Sequence, residues 1–581
     1  MYTLANTLVD LQVTGKDDSH FGAIQCPECN IYHTRAAEAV YPFAVAYKHT
    51  GQENYLQAAI NVGNWLIKQQ LAEGEWKETP WEWTGTTADQ LLMMAQSYPL
   101  LKERLSEQEK AVWENSIKRA ADYLVKYMSP DFASINYCPT TAAALAMTNK
   151  IIPDGKYTRK ANKLARWTVA KMDDDGFIHG EAARVFGVKY GVDLGYEMDM
   201  SLWGLALYAK ELDDAFVMQA VRKSLQKNLY FVYPNGAMDG SWGSRCYKWT
   251  TYGSKTADGC QILFGLFAQE DARYLTAAIR NLQYLRGMIK DGMIGNGPHF
   301  WELFDTLPCN YPTFARAKNL AMTVELGLQG AAETPPLPSD QTGWVKFYPT
   351  VNVALVRSKN LMTTISAYGY KDVTNWGQGK YTHHPGGGSV CNLWVQDHGF
   401  LQTSSQTRYI RGEVMHMPVV EDSVICLTPR IEFRNENGYF TNLYEREGRF
   451  SVRKGGQPLA IISTAGELKN EQYLPGGVAY IWTHSLFDNA IEKSVELRYH
   501  DRNPDVRIVE PIVQQPGMTF VQVDTRTVLI QGGKCKFKFE LLEGNVVLEL
   551  GEDEGRYWYP FPSIKAYPIV MKVQKPDAEF K

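Results

Sequence analysis

The chain has 581 residues, with 60 Lys and Arg against 64 Asp and Glu, for a net charge of −4. That length suits two or more domains and a core that needs no disulfide staples. With 45 % apolar and 21 % charged residues the composition excludes wholesale disorder, and the near-neutral balance without a basic block argues against a nucleic-acid partner. Helical apolar spacing then recurs over Ala36–Lys48, Tyr55–Gln69, Ala88–Leu101, Glu107–Tyr127, Thr140–Met147, Arg159–Met172, Met200–Leu212, Asp214–Leu229, Asp258–Ala268, Asp271–Ile289 and Thr313–Leu328. Turn residues such as His49-Thr50-Gly51-Gln52 and Pro153-Asp154-Gly155 punctuate them. Serial helices joined by alternately short and long loops, without a fixed-period repeat, predict helical hairpins closed into an α/α toroid over residues 1–330.

Residues 331–343 (AAETPPLPSDQTG) are Pro-rich and polar and read as a linker. Beyond them the texture changes to β-rich runs: Val351–Arg357, Val424–Leu427, Val478–Thr483, Val506–Val509, Thr519–Val523 and Val546–Leu550. Short strands spread over 344–581 predict an antiparallel β-sandwich, so the fold class is α+β and multidomain.

Aromatics are unusually frequent, with 15 Trp and 33 Tyr, and such rings serve as platforms in sugar-binding clefts as well as in large cores. Nine Cys cannot all pair. No run approaches the roughly 18–20 apolar residues of a membrane span. Met1–Asn6 has neither the basic nor the apolar part of a signal peptide, which leaves a cytoplasmic protein, or a periplasmic or extracellular one whose signal has been removed.

Several short stretches carry chemistry. Cys26-Pro27-Glu28-Cys29 with His33 supplies three potential zinc ligands but no evident fourth, and a loop with reduced thiols is the plainer reading. Arg35 and Glu38 sit one helical turn apart, either facing a cleft or forming an ordinary ion pair. Asn136-Tyr137 precedes an Ala-rich helix, a position that suits a catalytic group or a simple helix start. Tyr190 and Tyr196 flank glycines before another helix. Residues 239–254 combine Trp242, Arg245, Lys248, Tyr252 and further aromatics in a Gly/Ser loop, a pattern that suits an acidic sugar or a packed connection. His383-His384-Pro385-Gly386-Gly387-Gly388-Ser389 holds the only adjacent pair among 11 His, on a turn where glycines permit close approach to a ligand. No Lys or helix follows it, so it is a poor phosphate loop.

Taken together these residues resemble the heparinase II/III-like polysaccharide lyases and the alginate lyases that share their architecture. The resemblance rests on CPEC-x3-His before a helix, on Asn136-Tyr137 followed 54 and 60 residues later by Tyr190 and Tyr196, and on His383-His384-Pro-Gly-Gly-Gly-Ser leading to Asn392-Leu393-Trp394. It implies an incomplete α/α toroid followed by a β-sandwich, with the site between them. It also implies β-elimination at a uronic acid of an acidic polysaccharide or oligosaccharide. A donor such as Asn136 would stabilise the enolate-like charge on the carboxylate. Tyr190 or Tyr196 would transfer protons, and His383 or His384 would complete the site. Arg35, Tyr137, Trp242, Arg245 and Tyr252 are the expected substrate contacts. No cofactor is required for this chemistry, and a structural divalent metal remains an option. Such lyases often have Asn-His where this chain has Asn136-Tyr137. The alternatives are a glycoside hydrolase, which needs two carboxyl groups drawn from Glu82, Asp89, Glu197, Asp199, Asp239 and Glu302, or a non-catalytic glycan-binding protein.

Overall fold

The structure is a computed structural model that describes residues 1–182, 191–246, 257–327, 334–371, 379–413, 417–420, 425–500, 504–551 and 557–574. Its helices are α1 (Tyr2–Asp10), α2 (Ala37–Thr50), α3 (Glu53–Gln69), α4 (Thr87–Leu101), α5 (Glu107–Tyr127), α6 (Tyr137–Ile151), α7 (Gly155–Val169), α8 (Leu194–Tyr196), α9 (Leu202–Glu211), α10 (Ala215–Asn228), α11 (Gln261–Phe267), α12 (Ala272–Arg286), α13 (Phe300–Leu303) and α14 (Tyr311–Leu326). A π-helical turn, Glu197–Ser201, joins α8 to α9.

The helices α2, α4, α6, α9, α11 and α14 pack as an inner ring, with α14 returning to α2. Outside them lie α3, α5, α7, α10 and α12, each on the inner helix that precedes it in the chain. Composition sorts the two layers. The inner α4 buries 13 of its 15 residues, whereas the outer α5 buries seven of 21 along one stripe. Among the described residues α14 has no long outer partner, and the short α1 rests on α2 and α14 instead, so the toroid is incomplete.

Buried ion pairs hold the seam between α2 and α14. Lys318 Nζ lies 2.9 Å from Glu38 Oε1, and Glu38 also receives Arg35 at 2.8 Å. On the ring's outer rim Glu325 takes Lys48 and His49.

The strands are β1 (Ile289–Lys290) and β2 (Met293–Ile294), a small hairpin in the helical half, then β3 (Trp344–Tyr348), β4 (Val353–Arg357), β5 (Leu361–Ser366), β6 (Ser389–Val395), β7 (Gly399–Thr403), β8 (Arg430–Asn435), β9 (Gly438–Thr441), β10 (Arg449–Lys454), β11 (Ala460–Lys469), β12 (Pro475–Leu486), β13 (Ile491–Tyr499), β14 (Arg507–Val513), β15 (Thr519–Asp524), β16 (Thr527–Gly532), β17 (Cys535–Glu540), β18 (Val546–Leu550), β19 (Tyr557–Pro560) and β20 (Ser563–Val573). One sheet runs β3-β4-β5-β6-β7, and a larger one runs β13-β12-β11-β9-β8-β14-β20-β18 with β10 on β11 and β19 on β20. A third carries β15-β16-β17. Val356, Ile365 and Leu393 of the first sheet meet Ile462, Leu486 and Ile569 of the second in one apolar layer, as in a sandwich.

The run expected as a strand at Val424–Leu427 is not one over its described part, Ile425–Leu427. Side chains take its backbone groups: Arg430 donates to the carbonyls of Cys426 and Thr428, and the Leu427 amide donates to Ser405 Oγ. No ladder partner is then needed.

Asp239 ties the two halves together. Its carboxylate accepts from Ser241 N at 3.0 Å, Thr364 Oγ1 at 2.6 Å and Asn392 Nδ2 at 3.0 Å. Thr364 and Asn392 belong to β5 and β6. The segment after α14 is also strapped down, with Thr276 Oγ1 donating to the Pro335 carbonyl and Arg357 to the Ser339 carbonyl. We propose 331–343 as the boundary between the two domains.

Lys318→Ala leaves the buried Glu38 with one cation fewer at the ring seam. Breaking a buried pair typically costs about 3–5 kcal/mol. Urea unfolding should show a loss of that order, and wild-type stability would refute the importance of this contact.

Candidate active site

The N-terminal ends of the inner helices come together, and α2, α4, α6 and α14 all start without a side-chain cap. Their aligned dipoles favour negative charge nearby. Arg35, just ahead of α2, reaches Asp89 in the first turn of α4 at 3.2 Å and lies 4.9 Å from the ring centre of Tyr311, the first residue of α14. Trp83 Nε1–H donates to the Tyr137 hydroxyl at 2.8 Å, joining the start of α6 to the loop before α4.

Arg245 gathers the rest. Its Nη2 is 2.6 Å from Glu181 Oε1 and 3.1 Å from Ser134 Oγ, two residues before Asn136. Nη1 donates to the Tyr381 hydroxyl at 3.2 Å, two residues before His383 on the β side. The guanidinium lies 4.6 Å from the ring centre of Tyr196 and 5.3 Å from that of Tyr381. Asp193 fixes both partners from below: Oδ1 accepts from Tyr196 N at 3.0 Å and Oδ2 from Arg245 N at 2.8 Å. Burial, helped by nearby Glu181, pushes the Asp193 carboxyl up to about 7.

On the β side, His383 Nδ1 lies 2.8 Å from the Tyr444 hydroxyl. Burial holds the imidazole down to about 4, so it is neutral at ordinary pH. His384 sits between two carbonyls, with Nδ1 2.9 Å from Pro385 O and Nε2 2.9 Å from Tyr370 O. Burial lowers its pKa further, and the nearby Arg446 adds to this.

Arg446 is itself buried. It donates to the carbonyls of Thr382 and His384. Tyr444 also lines a groove of about 760 Å³ that carries Arg408, Arg430, Arg434 and Arg507 against Glu432 and Glu471. Its excess of cations suits an acidic polymer.

Arg245 therefore links Tyr196 to the segment before Asn136-Tyr137 and to the one before His383-His384. Asn136 is 2 % exposed and its Oδ1 has no partner among the described residues, so the carboxamide is not consumed in capping α6. Tyr190 and Tyr252 lie outside the described residues. Arg35 is enclosed by Glu38, Asp89 and Tyr311, with its charge committed within the protein. Trp242, expected as a stacking platform, is 1 % exposed and packs edge-on against Phe177 and Tyr368. It offers no open face.

The glycines after His384 make room for protein rather than for a ligand. A Cβ on Gly387 would fall 2.0 Å from the Asn442 carbonyl, and one on Gly388 would fall 2.1 Å from Thr464 Oγ1. Sequence reasoning missed Glu181, Tyr381, Tyr444 and Arg446. Tyr381 alone carried a signal, standing two residues before the His383-His384 pair.

The carboxyl groups a hydrolase would draw on are engaged elsewhere. Glu197 is held by Lys227, Asp199 by Asn319, Asp89 by Arg35, Asp239 by the interface with the sandwich and Glu302 by Lys565. Glu82 pairs with Lys77 at the surface. Away from Arg245, Cys26, Cys29 and His33 meet Cys309, so that four ligand atoms lie within 4.8 Å of one another.

Residues 1–340 match the ulvan lyase N-terminal domain and residues 345–581 the ulvan lyase C-terminal domain. The chain belongs to the ulvan lyase family. A broad-specificity ulvan lyase of Formosa agariphila is 30 % identical over 567 residues, covering 95 % of this chain and 87 % of that protein. Two solved structures share the fold of this ulvan lyase family member. A heparinase III has a TM-score of 0.53 at 12 % identity, covering 93 % of this chain and 75 % of its own. A heparan sulfate lyase HepC mutant from Pedobacter heparinus has a TM-score of 0.51 at 10 % identity, covering 100 % of this chain and 81 % of its own. The chain is a polysaccharide lyase acting on a uronic-acid-containing glycan.

The depressed pKa of His383 has a measurable consequence. The unfolded chain binds its proton near pH 6.5, whereas the folded enzyme does so only near 4. Stability is thus fully present above 6.5 and declines as pH falls towards 4, by up to about 3 kcal/mol from this group. Urea midpoints measured across that range should fall, and His383→Gln should flatten part of the slope. An unaltered slope would mean that His383 is accessible and ordinary.

Proposed function

We propose that this chain cleaves ulvan by β-elimination at a uronic acid, with Asn136, Tyr196 and His383 around the reacting sugar. A base takes the C5 proton, the electron pair spreads into the carboxylate, and the C4–O bond breaks as the leaving oxygen gains a proton. The Asn136 carboxamide donates to the carboxylate as charge builds there, without itself ionising. The Tyr196 phenol transfers protons on the sugar face. Tyr190 is the alternative phenol. His383, neutral and bonded to Tyr444, supplies the second proton-transfer group. His384, with both nitrogens facing carbonyls, positions the turn. Arg245 assembles the site, because Glu181 already takes its charge.

The observation that carries this reading is the Arg245 guanidinium, which contacts Ser134, Tyr196 and Tyr381 at once and so gathers the three chain segments of the proposed site. The arginine-lined groove supports an acidic polymer as the partner, and ulvan is suggested by the relative from Formosa agariphila. We assign the enzyme to the periplasm or the cell exterior, where a polymeric acidic substrate is met. No helix among the described residues is long and apolar enough to cross a membrane.

Incubation with ulvan should raise short-wavelength ultraviolet absorbance as the new double bond conjugates with the carboxylate, in step with new reducing ends. Reducing ends without absorbance would mean hydrolysis and would overturn the proposal. Asn136→Ala and Tyr196→Phe should each lower kcat by about 10²–10³ at unchanged melting temperature. A fully active Tyr196→Phe would move the phenol role to Tyr190.

A further inference from the structure

We propose that Cys26, Cys29, His33 and Cys309 hold one Zn²⁺ ion, a structural clamp that joins the N-terminal knuckle to the start of α14. Cys26 Sγ lies 3.6 Å from Cys309 Sγ, and His33 Nε2 lies 3.3 Å from Cys29 Sγ and 4.0 Å from Cys309 Sγ. Tetrahedral zinc with bonds of about 2.3 Å to sulfur and about 2.05 Å to nitrogen needs ligand separations of roughly 3.8 Å between sulfurs and roughly 3.6 Å from sulfur to nitrogen. The two sulfur-to-nitrogen separations bracket the second value, and the sulfur–sulfur separation of 3.6 Å falls just short of the first.

Three further observations point to a metal. His33 Nδ1 lies 3.2 Å from the Thr79 carbonyl, which fixes that nitrogen as the donor and leaves Nε2 with its lone pair towards the thiols. The knuckle is pre-shaped: Asn30 N donates to Cys26 O and Cys26 N to Ile31 O, both at 3.0 Å, with Asn30 at φ +56° turning the chain back. Cys26 and His33 are fully buried and Cys309 is 2 % exposed. Thiols are weak hydrogen-bond donors, and a metal gives all four groups a strong common partner. Three sulfurs and an imidazole select a borderline-soft tetrahedral ion, and four protein ligands leave no open position for substrate. The role is therefore structural.

The placement says what the clamp does. His33 leads within four residues into α2, and Cys309 leads within two into α14. These two helices close the inner ring, so the ion would pin the seam at the end where the Arg35–Tyr311 contact lies.

Metal analysis of the full-length enzyme, purified without chelator from zinc-supplemented culture, should find one zinc per chain. Cobalt-substituted enzyme should show thiolate-to-cobalt charge-transfer bands and the intense visible bands of a tetrahedral ion. Cys309→Ser should lose the metal and melt at lower temperature. If that variant does not fold, Cys29→Ser, altered at the half-exposed ligand, should still fold and bind metal more weakly. Zinc-free wild-type protein, cobalt spectra without charge transfer, or a Cys26–Cys309 disulfide found by mass spectrometry would each overturn the proposal.

Discussion

The geometry of the join between the helical and β halves depends on the buried guanidinium of Arg245. Five N–H donors in a rigid plane can serve several acceptors at once, and Arg245 distributes them over Glu181, Ser134 and Tyr381. The flat faces of the same group pack against Tyr196 and Tyr381. A lysine ammonium is a point charge without faces and would satisfy only part of this arrangement. Because Glu181 neutralises Arg245 inside the protein, attraction for an acidic chain must come from other cations. The arginines of the neighbouring groove and the uncapped helix N-termini provide it. Assembly and attraction are thus divided between different arginines.

Much of this was legible in the sequence, for reasons that differ by level. The helices follow from apolar spacing, because an α-helix repeats within four residues. The change to strands after the Pro-rich segment is equally local. Asn136, Tyr196 and His383 stood out as polar residues beside helix starts or in a glycine turn. What the sequence hid was long-range. Cys309 lies 283 residues from Cys26, and nothing in its surroundings marks it as a ligand. Tyr444 meets His383 across 61 residues, each on a short 3-10 turn outside the strands, a pairing that no local pattern encodes. Trp242 stands in a Gly/Ser loop of the kind usually exposed, yet the rings of Phe177 and Tyr368 enclose it. The Gly386–Gly388 turn misled in another way. Missing side chains signal close approach, but not whether the approaching group is a ligand or, as here, Asn442 and Thr464 of the second sheet.

The join between the halves sets buried polar contacts among its apolar packing. Asp239 is fully buried and draws hydrogen bonds from Thr364 and Asn392, while the Tyr368 hydroxyl accepts from Val192 N at 2.5 Å. Each of these bonds has a narrow range of distance and angle. Contacts of that kind specify one relative orientation, which apolar surfaces able to slide over one another do not. A site built from both halves needs such specification, since an error of about 1 Å in the placement of reacting groups can cost about 10²-fold in rate.

The return of α14 to α2 also sets an order on biosynthesis. The ribosome delivers α2 early, but Lys318 and Glu325, which meet Glu38, Lys48 and His49, emerge some 280 residues later. At about 5–20 residues per second that gap lasts roughly 14–56 seconds. Throughout it, α2 and α3 can pack on α4 and its successors as an open stack of hairpins, each stabilised by its neighbours. One flank of α2, with the buried cation-binding Glu38, faces solvent until the last inner helix arrives. The nascent toroid therefore grows as an arc and becomes a ring only in its final step.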